Sequence, residues 1–380
     1  MRATVAIITT GSISANASIQ RGIWLAKESR NYGIESVVML LDAKDNRAYA
    51  EHCGITDRTC WVSSRSPLSY LEHRNLLQMS EVIHLINPTL AGICASLSSS
   101  KVRRLVLSDW DELYESVPGN FADKLRRIFL QQISAALSNC FVFSSKWLRG
   151  WYSRQRTRKP CYYIPYGLNG GQVNSLADDS LTNSGKRWII YLGGLSRAYR
   201  KDLKEIVTLA NVIVNKDMGI GIIGDGLERG WLEGELRKVL PPEQLRFFGA
   251  IPPETVDPIL ASPHVKACFL PLENTLQNRC RCPNKMFHYA KAAKTVLTNR
   301  VGEVIEILND NAEYYEYENR LSLKKALDLA LRKVPHYDYA SMSWACRAKD
   351  YVKVLQKHCN SIESDNRRSE FDSFDDRLGA

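Results

Sequence analysis

The chain has 380 residues, of which 44% are hydrophobic and 24% are charged, and its formal net charge is +10 at pH 7. This length exceeds one ordinary core and predicts two domains of roughly 150–200 residues each, while the composition excludes a wholly disordered chain. No apolar run reaches the ~18 residues that a membrane span needs. The excess of positive charge favours anionic partners, which are phosphates, nucleic acid or acidic lipid surfaces.

The amino-terminal part alternates short apolar runs with helical patterns. A first strand is predicted in ATVAIIT, a helix over residues 18–31, and further strands in SVVMLLD, VIHLI, RLVLSD and CFVFSS. The first apolar run, residues 5–8, is too short for a signal-peptide core, so a cytoplasmic protein is expected. Continuous apolar strands separated by helices are typical of a parallel sheet covered on both faces. Residues 1–170 are therefore predicted to form a doubly wound, Rossmann-like domain.

Two places in this domain put small or acidic residues at predicted strand ends. The loop after the first strand contains Gly11 and Ser12. It either offers backbone N–H groups to a ligand or is simply a flexible loop. The sequence LSDWDEL puts Asp109, Asp111 and Glu112 at the end of a later strand. A carboxylate there can act as a base or hold an acceptor, and Asp109 is the candidate catalytic residue.

The most basic segment, SSKWLRGWYSRQRTRK, spans residues 144–159. It interleaves Lys and Arg with Trp147, Trp151 and Tyr152. Such a mixture suits an anionic membrane surface, contacted through Lys146–Lys159, or, as a less favoured alternative, a nucleic-acid backbone. A third alternative is a helix whose aromatic residues pack inward while its charges stay solvated.

A change of composition separates this domain from a second one. Residues 170–185 hold almost no bulky apolar residue, which predicts a linker over 171–186. Strands then recur in WIIYLGG, GIGIIGDG, LRFFG and ACFLPL, predicting a second Rossmann-like domain over 187–340. A helix over 341–360 is expected to pack back towards the first domain, and the polar residues 361–380 are expected to be disordered. Ligands of such domains bind beyond the carboxyl ends of the strands, so two domains facing a central cleft are expected.

The first strand-to-helix turn of the second domain is YLGGLSRAYRKDL. Gly193 and Gly194 precede Arg197, Arg200 and Lys201. Glycines let a ligand approach the backbone closely, and cations beside a helix start attract anions. The turn is therefore either a diphosphate site or a tight turn with solvated basic residues.

Two later stretches of the second domain also hold candidate ligand-binding residues. Gly224, Asp225 and Gly226 lie in IIGDGLERGWLE, which lacks the G-x-G-x-x-G spacing of a dinucleotide-binding loop. The sequence RCPNKMFHYAKAAKTVLTN, residues 281–299, combines a proline-led helix start with three lysines in a segment that looks buried.

The order of these pieces resembles the carboxyl-terminal half of GT-B glycosyltransferases, in particular the large group 1 family, which is family 4 in the usual classification. The likeness runs through IPYGLN, YLGGLSRAYRKDL, GIIGDGLERGWLE, LRFFGAIPPETVDPIL and the stretch from CFLPL to VIEIL, about residues 164–308. The amino-terminal half matches in architecture only. The resemblance implies a nucleoside-diphosphate sugar donor of UDP or GDP type, held by the second domain, and a retaining reaction without a metal or cofactor. The D-x-D pattern at Asp109 and Asp111 is accordingly not interpreted as a metal site.

The resemblance also implies which residues hold the donor. The basic pair that grips the diphosphate falls on Lys201 together with Arg200 or Arg197. The family's PNK..EY motif matches a run that differs at its acidic position, namely Pro283, Asn284, Lys285, Met286, Phe287, His288 and Tyr289. The family usually has Glu where this chain has His288, and its other Glu would fall near Cys280. A histidine can make one hydrogen bond there but cannot bind two hydroxyls as a carboxylate does.

The sequence therefore predicts a glycosyltransferase that moves a sugar from a nucleoside-diphosphate sugar to a glycan or lipid-linked acceptor, as in polysaccharide biosynthesis. It would work in the cytoplasm or peripherally at the inner face of the membrane. Catalysis would rest on positioning, on Lys201 neutralising the leaving diphosphate, and on Asp109. Three alternatives stay open: an epimerase of the same fold, a DNA-modifying sugar transferase, and a degenerate protein that binds a nucleotide without catalysis.

Overall fold

The computed structural model describes residues 4–13, 18–98, 104–155, 158–173, 181 and 185–359. These residues form two compact units. The first runs to Tyr166 and includes residues 344–359, and the second is Gly167–Ser343. Most of the predicted linker and all of the predicted disordered tail lie outside the described residues.

The first unit is built on a seven-stranded parallel sheet with the order β3-β2-β1-β4-β5-β6-β7. Its strands are β1 (Thr4–Ile8), β2 (Glu35–Leu41), β3 (Thr59–Val62), β4 (Val82–Ile86), β5 (Leu105–Trp110), β6 (Cys140–Phe143) and β7 (Cys161–Tyr163). Strands β4, β5 and β6 are buried along their whole length. Full burial explains why these strands are mostly apolar and show no alternating pattern, with His84, Ser108 and Asp109 as buried polar exceptions.

Helices cover both faces of this sheet. They are α1 (Ser18–Ser29), α2 (Lys44–Cys53), α3 (Pro67–Leu71), α4 (Arg74–Met79), α5 (Leu90–Leu97), α6 (Phe121–Leu137) and α7 (Lys146–Ser153). The chain moves from β1 to β3 in one direction across the sheet and from β3 to β7 in the other. Because parallel crossovers are right-handed, α1 and α2 lie on one face and α3–α7 on the other.

Residues 344–359 form a C-terminal helix that belongs to the first unit. The Tyr351 hydroxyl on this helix lies 2.9 Å from Nδ1 of His84, which is in the middle of β4. Both side chains are buried. This helix is thus part of the core of the first unit. No helix within the described residues is long and apolar enough to cross a membrane.

The second unit is built on a six-stranded parallel sheet with the order β10-β9-β8-β11-β12-β13. Its strands are β8 (Arg187–Leu192), β9 (Met218–Ile223), β10 (Leu245–Gly249), β11 (Val265–Leu270), β12 (Val296–Thr298) and β13 (Ala312–Tyr314). The helices are α8 (Arg200–Ile213), α9 (Arg229–Arg237), α10 (Pro253–Ala261), α11 (Leu276–Cys280), α12 (Lys285–Lys291), α13 (Val304–Leu308), α14 (Arg320–Ala330) and α15 (Tyr339–Met342). Two parallel sheets, one in each unit, confirm the predicted pair of Rossmann-like, doubly wound domains.

Each sheet reverses its strand order at one place. The reversal lies between β1 and β4 in the first unit and between β8 and β11 in the second. In open parallel sheets, ligands bind outside the carboxyl ends of the strands at this switch point. The loops that follow these strands are therefore where a functional site is sought in each unit.

Candidate functional site

The loops after β8 and β9 in the second unit pack backbone against backbone. The N–H of Leu195 donates to the carbonyl of Asp225 at 2.9 Å. A Cβ added to Gly224 would collide with the carbonyl oxygen of Gly193, and one added to Gly226 would collide with that of Leu195. The Asp225 carboxylate accepts a hydrogen bond from the N–H of Gly226 at 2.8 Å. Close loop packing therefore explains the glycines of the G-D-G turn without a ligand.

Lys285, at the start of α12, lies beside the loop that follows β8. Its Nζ is 4.6 Å from the centroid of the Tyr191 ring, and it occupies the space that a Cβ on Gly193 would need. Burial, followed by repulsion from Arg281, lowers the pKa of Lys285 to about 7, against the attraction of Asp202. Lys285 makes no hydrogen bond or ion pair within the described part of the chain. It is a half-buried cation that forms no ion pair with any described acidic residue.

Arg281, which lies close enough to repel this lysine, and Arg197 also form no ion pair with the described acidic residues. The guanidinium of Arg281 lies 4.8 Å from the centroid of the Tyr199 ring, and its Nε is buried without a hydrogen-bond acceptor. Arg197 is exposed in the turn that follows β8. Sequence reasoning gave Arg281 no role. The available signal was its position four residues before Lys285 in Arg-Cys-Pro-Asn-Lys.

Lys201 and Arg200, two of the predicted diphosphate-binding residues, do have acidic partners. The Nζ of Lys201, whose side chain is 69% exposed, lies 2.6 Å from Glu273. Arg200 lies 3.4 Å from the buried carboxylate of Glu228 and stacks over the Trp231 ring at 4.6 Å. An exposed ion pair contributes only about 0–1 kcal/mol, so Lys201 can exchange Glu273 for another anion at little cost. Arg200 is held more firmly than Lys201, because it contacts both a buried carboxylate and an aromatic ring.

His288, where the family has Glu, is hydrogen-bonded to an aspartate. Its Nδ1 lies 2.7 Å from one oxygen of Asp257, and the other oxygen accepts from Lys291 at 2.7 Å. Burial acts to raise the pKa of Asp257, but His288 and Lys291 together hold it below its ordinary value. With Nδ1 bound to the carboxylate, Nε2 is the ring atom left for a ligand, and the side chain is 25% exposed. Asp257 lies on α10, and sequence reasoning did not find it.

The other lysines of the segment 281–299 bind groups of the protein. Lys291 pairs with Asp257, and Lys294 donates to the carbonyl of Ser262 at 3.0 Å, just beyond the last residue of α10. A cation stabilises the carboxyl end of a helix, where free carbonyls collect. Of the three lysines in this segment, Lys285 is the one for which the described residues supply no acceptor.

Three further predicted residues of this unit shape the backbone. Gly194 is exposed, and an added Cβ there would meet no described atom within 4 Å. Pro283 is buried, and Asn284 is the residue directly before α12. The carbonyl of Asn284 accepts from the N–H of Phe287 at 3.0 Å, which closes the first turn of α12.

Asp109, the predicted catalytic carboxylate, lies in a buried ion-pair network of the first unit. Its Oδ2 is 2.6 Å from Nε of Arg21 and 3.2 Å from Nε2 of His84, and all three side chains are fully buried. Arg21 also donates to the carbonyl of Ile164 at 2.8 Å. Breaking such a pair leaves an uncompensated buried charge, at a cost of about 3–5 kcal/mol. The geometry is that of a structural ion pair.

Asp111, one residue beyond β5, lies at the carboxyl end of a strand that neighbours β4 in the same sheet. Its Oδ2 accepts from the Tyr166 hydroxyl at 2.6 Å, and its N–H donates to the side-chain carbonyl of Asn87 at 3.1 Å. Its Oδ1 is buried, with no hydrogen-bond donor among the described residues. Burial raises the pKa of Asp111 to about 7, with Asp109 acting in the same direction and Arg21 against it.

The loop after β1 is anchored to α2 where the structure describes it. The hydroxyl of Ser12 is hydrogen-bonded to Asp45, and the N–H of Ile13 donates to Asn46 at 2.8 Å. The Asn46 amide also donates to the carbonyl of Gly11 at 3.0 Å. Gly11 and Ser12 are therefore held by protein groups on their carbonyl and hydroxyl sides, and residues 14–17 lie outside the description.

The basic segment 144–159 directs part of its aromatic surface inward. The Tyr152 ring packs on Trp110 and Phe141, with centroid distances of 5.0 and 4.6 Å. Lys159 donates to the carbonyl of Ala135 at 2.8 Å, near the end of α6. Trp147 and Trp151 are half-buried. The packing of Tyr152 agrees with the third alternative for the segment, whereas the half-buried tryptophans leave the membrane and nucleic-acid alternatives as predictions.

Comparison with known proteins identifies the fold. No protein-family model and no curated protein matches the sequence. An Anabaena HepE structure in complex with UDP and glucose aligns with a TM-score of 0.67 over 96% of this chain and 100% of that chain, at 11% identity. Sucrose-phosphate synthase from Thermosynechococcus elongatus aligns with a TM-score of 0.63 over 97% and 99%, at 14% identity. The UDP-GlcNAc 2-epimerase from Methanocaldococcus jannaschii aligns with a TM-score of 0.59 over 94% and 100%, at 12% identity. The chain therefore has the GT-B fold, as its motifs predicted.

Proposed function

We propose that the protein is a glycosyltransferase whose second unit binds a nucleoside-diphosphate sugar. The observation that carries this proposal is Lys285, a half-buried cation without an acidic partner among the described residues, beside Gly193 at the end of β8. A buried charge without a counter-ion is costly, and perturbed groups of this kind cluster at functional sites. An anionic ligand would supply the missing partner.

The donor diphosphate would be bound by three cations. Lys285 lies on the Tyr191 ring and Arg281 on the Tyr199 ring, and each can donate hydrogen bonds to a phosphate oxygen. Lys201 would join them by exchanging Glu273 for the ligand. Such cations neutralise the charge that develops on a leaving diphosphate, and this is the main catalytic task of the site. No metal or cofactor is required in this proposal.

His288 would contact the nucleotide through Nε2, since Asp257 occupies Nδ1. It would make a single hydrogen bond where the family's Glu binds a pair of ribose hydroxyls. The proposal of a UDP-type or GDP-type donor is supported by fold likeness to a structure that contains UDP and glucose. The base and the sugar are left to experiment.

On the acceptor side we propose Asp111 in place of Asp109. Asp109 is fully buried and paired with Arg21, whereas Asp111 is only half-buried and lies just beyond the carboxyl end of β5. As a base, Asp111 would take the proton of the acceptor hydroxyl while the new glycosidic bond forms and the bond to the diphosphate breaks. The acceptor class, a glycan or a lipid-linked glycan, is part of the proposal.

Calorimetry tests the donor site directly. UDP, GDP and their sugars are titrated into the full chain and into the variants Lys285→Ala and Arg281→Ala. We expect at least one nucleotide to bind, and each variant to bind it about tenfold or more weakly, which corresponds to about 1.4 kcal/mol or more. Lys238→Ala is the matched control, because Lys238 is an exposed lysine paired with Glu235. Failure of every nucleotide to bind would contradict the proposal.

A second candidate function is epimerisation, because the M. jannaschii epimerase shares the fold. The two reactions differ in what happens to the sugar without an acceptor. An epimerase converts one nucleotide sugar into another, which NMR of the sugar ring detects. A transferase releases nucleoside diphosphate only as acceptor product forms. A DNA acceptor is tested in the same assay with duplex DNA, and nucleotide binding without any turnover would indicate a degenerate protein.

A further inference from the structure

Three large apolar side chains stand exposed in a line on α6. Phe121 is 77% exposed, Leu125 51% and Phe129 66%. They are spaced four residues apart, so they lie along one side of the helix. Residues 121–126 are all exposed, while the fully buried positions of α6 are Gln131 and Ser134. The amino-terminal half of α6 thus presents an apolar stripe away from the protein.

Basic residues flank this stripe on both sides. At 3.6 residues per turn, Lys124 lies about 60° from Phe121 on one side, and Arg126 lies about 60° from Phe129 on the other. Both are exposed, and the single ion pair that the described residues give Arg126 is a long one, 4.0 Å to Asp123. An apolar stripe between two basic edges is the pattern of a helix that lies in a membrane interface.

The neighbouring helices extend the apolar surface. The described part of the first unit has eight exposed large hydrophobic residues, and seven of them belong to α3–α6. Besides the stripe, these are Leu68, Met79, Leu90 and Leu97. The crossover direction places these helices on the same face of the sheet. A concentration of exposed apolar side chains on one face marks an interaction surface.

The positive charge around α6 indicates what kind of partner this surface binds. Between Phe121 and Lys159 the sequence has nine Lys and Arg residues and one acidic residue, Asp123. The partner must therefore offer both apolar and negatively charged groups, as a bilayer with anionic headgroups does. A second copy of this chain would bring the same positive charge against its own and be repelled.

We propose that α6 is an interfacial helix that docks the first unit on an anionic membrane. Phe121, Leu125 and Phe129 insert among the acyl chains, and Lys124 and Arg126 contact lipid phosphates. The sequence alone pointed instead to residues 146–159 for this role. The inference does not depend on the proposed enzymatic function, and its test does not use activity.

Sedimentation with vesicles tests the docking surface. The full chain is mixed with vesicles of phosphatidylcholine alone or of phosphatidylcholine with phosphatidylglycerol, and the bound fraction is measured. We expect binding to the anionic vesicles, at least about tenfold weaker binding for the triple variant Phe121→Ser, Leu125→Ser, Phe129→Ser, and weaker binding with less salt dependence for Lys124→Gln, Arg126→Gln. The matched control replaces three exposed leucines of the second unit, Leu227, Leu321 and Leu329, with Ser.

Three results would overturn the proposal. The first is no binding to anionic vesicles at low salt, and the second is equal binding by the triple α6 variant and the leucine control. The third comes from sedimentation velocity without lipid: a dimeric parent chain and a monomeric triple variant would show that a second copy covers the stripe. Circular dichroism of each variant verifies that the fold is retained.

Discussion

The Nζ of Lys285 lies 4.6 Å from the centroid of the Tyr191 ring, so an aromatic face takes the place that a carboxylate has beside Lys201 and Lys291. A cation–π contact is worth about 0.5–2 kcal/mol, less than the several kcal/mol that desolvation of an ammonium costs. The folded protein without ligand therefore carries a free-energy cost at this position. If Lys285 serves binding, removing its charge should raise the free energy of unfolding, whereas if it is structural, removing its charge should lower it.

Replacing Lys285 with Met should stabilise the protein and weaken nucleotide binding. Methionine fills a similar volume without a charge, and removal of buried charges by apolar residues is often stabilising by about 1–4 kcal/mol. Urea unfolding at pH 7 measures the gain. Lys201→Met is the control for stability, because its exposed position should change the free energy of unfolding by less than about 0.5 kcal/mol. A Lys285→Met protein that is much less stable than its parent would indicate a structural role.

Nucleotide binding near pH 8 should draw a proton from solution. The pKa of Lys285 is lowered to about 7, so the amine is mostly neutral at that pH, and a bound diphosphate would raise its pKa again. Calorimetry in two buffers of different ionisation enthalpy measures the uptake, which we expect to approach one proton per nucleotide. The uptake should disappear in Lys285→Met and persist in Lys238→Ala. Equal heats in both buffers for the parent protein would contradict this account of the site.

Lys285 also gives the free energy of unfolding a pH dependence of known sign. Its folded pKa of about 7 lies below the unfolded value of about 10.4, so the unfolded chain binds more protons between these values. The contribution of Lys285 to the free energy of unfolding should therefore rise with pH between about 7 and about 10.4. The cost of the buried charge is present in full below pH 7. In Lys285→Met this part of the rise should be missing.

The fold was predictable because its signals are local. Mostly apolar strands without alternation, such as β4 and β5, each followed by a helix, identify a parallel sheet without any knowledge of tertiary contacts. The ordered glycine, proline and lysine motifs of the second unit then led to the GT-B fold, which the structural comparison confirms.

The chemistry of the site was less predictable, since it depends on which charges are paired. Lys201 and Lys285 look equivalent in the sequence, but the structure brings Glu273 to one and an aromatic ring to the other. The partners of His288 and Asp109 lie 31 and 88 residues away along the chain. Residue type and position at a strand end indicate where a site lies, whereas burial and pairing decide which residue is available to a ligand.

Asp109→Asn should destabilise the first unit. The substitution leaves the guanidinium of Arg21 buried without its counter-ion, and breaking such a pair costs about 3–5 kcal/mol. Urea unfolding at neutral pH measures the loss. The double variant Arg21→Met, Asp109→Leu removes both charges and should recover a large part of it. A single variant as stable as the parent would show that the pair is not structural.

Asp111→Asn should behave differently, with an effect on stability that depends on pH. The folded pKa of Asp111, about 7, lies above the unfolded value of about 3.9, so the folded protein binds more protons between these values. The contribution of Asp111 to stability is therefore present in full below pH 4 and is lost as the pH rises through 7. Parent and variant should unfold alike at pH 4, and at pH 8 the uncharged Asn should make the variant more stable by up to about 4 kcal/mol.

If Asp111 is the base that we propose, the variant should also lose about 100-fold or more in kcat with little change in nucleotide affinity. Asp123→Asn, on the exposed start of α6, is the matched control and should change neither quantity. A variant that keeps the parent's kcat would remove Asp111 from the mechanism, and one that also keeps the parent's pH profile of stability would show that this carboxylate is not the titrating group.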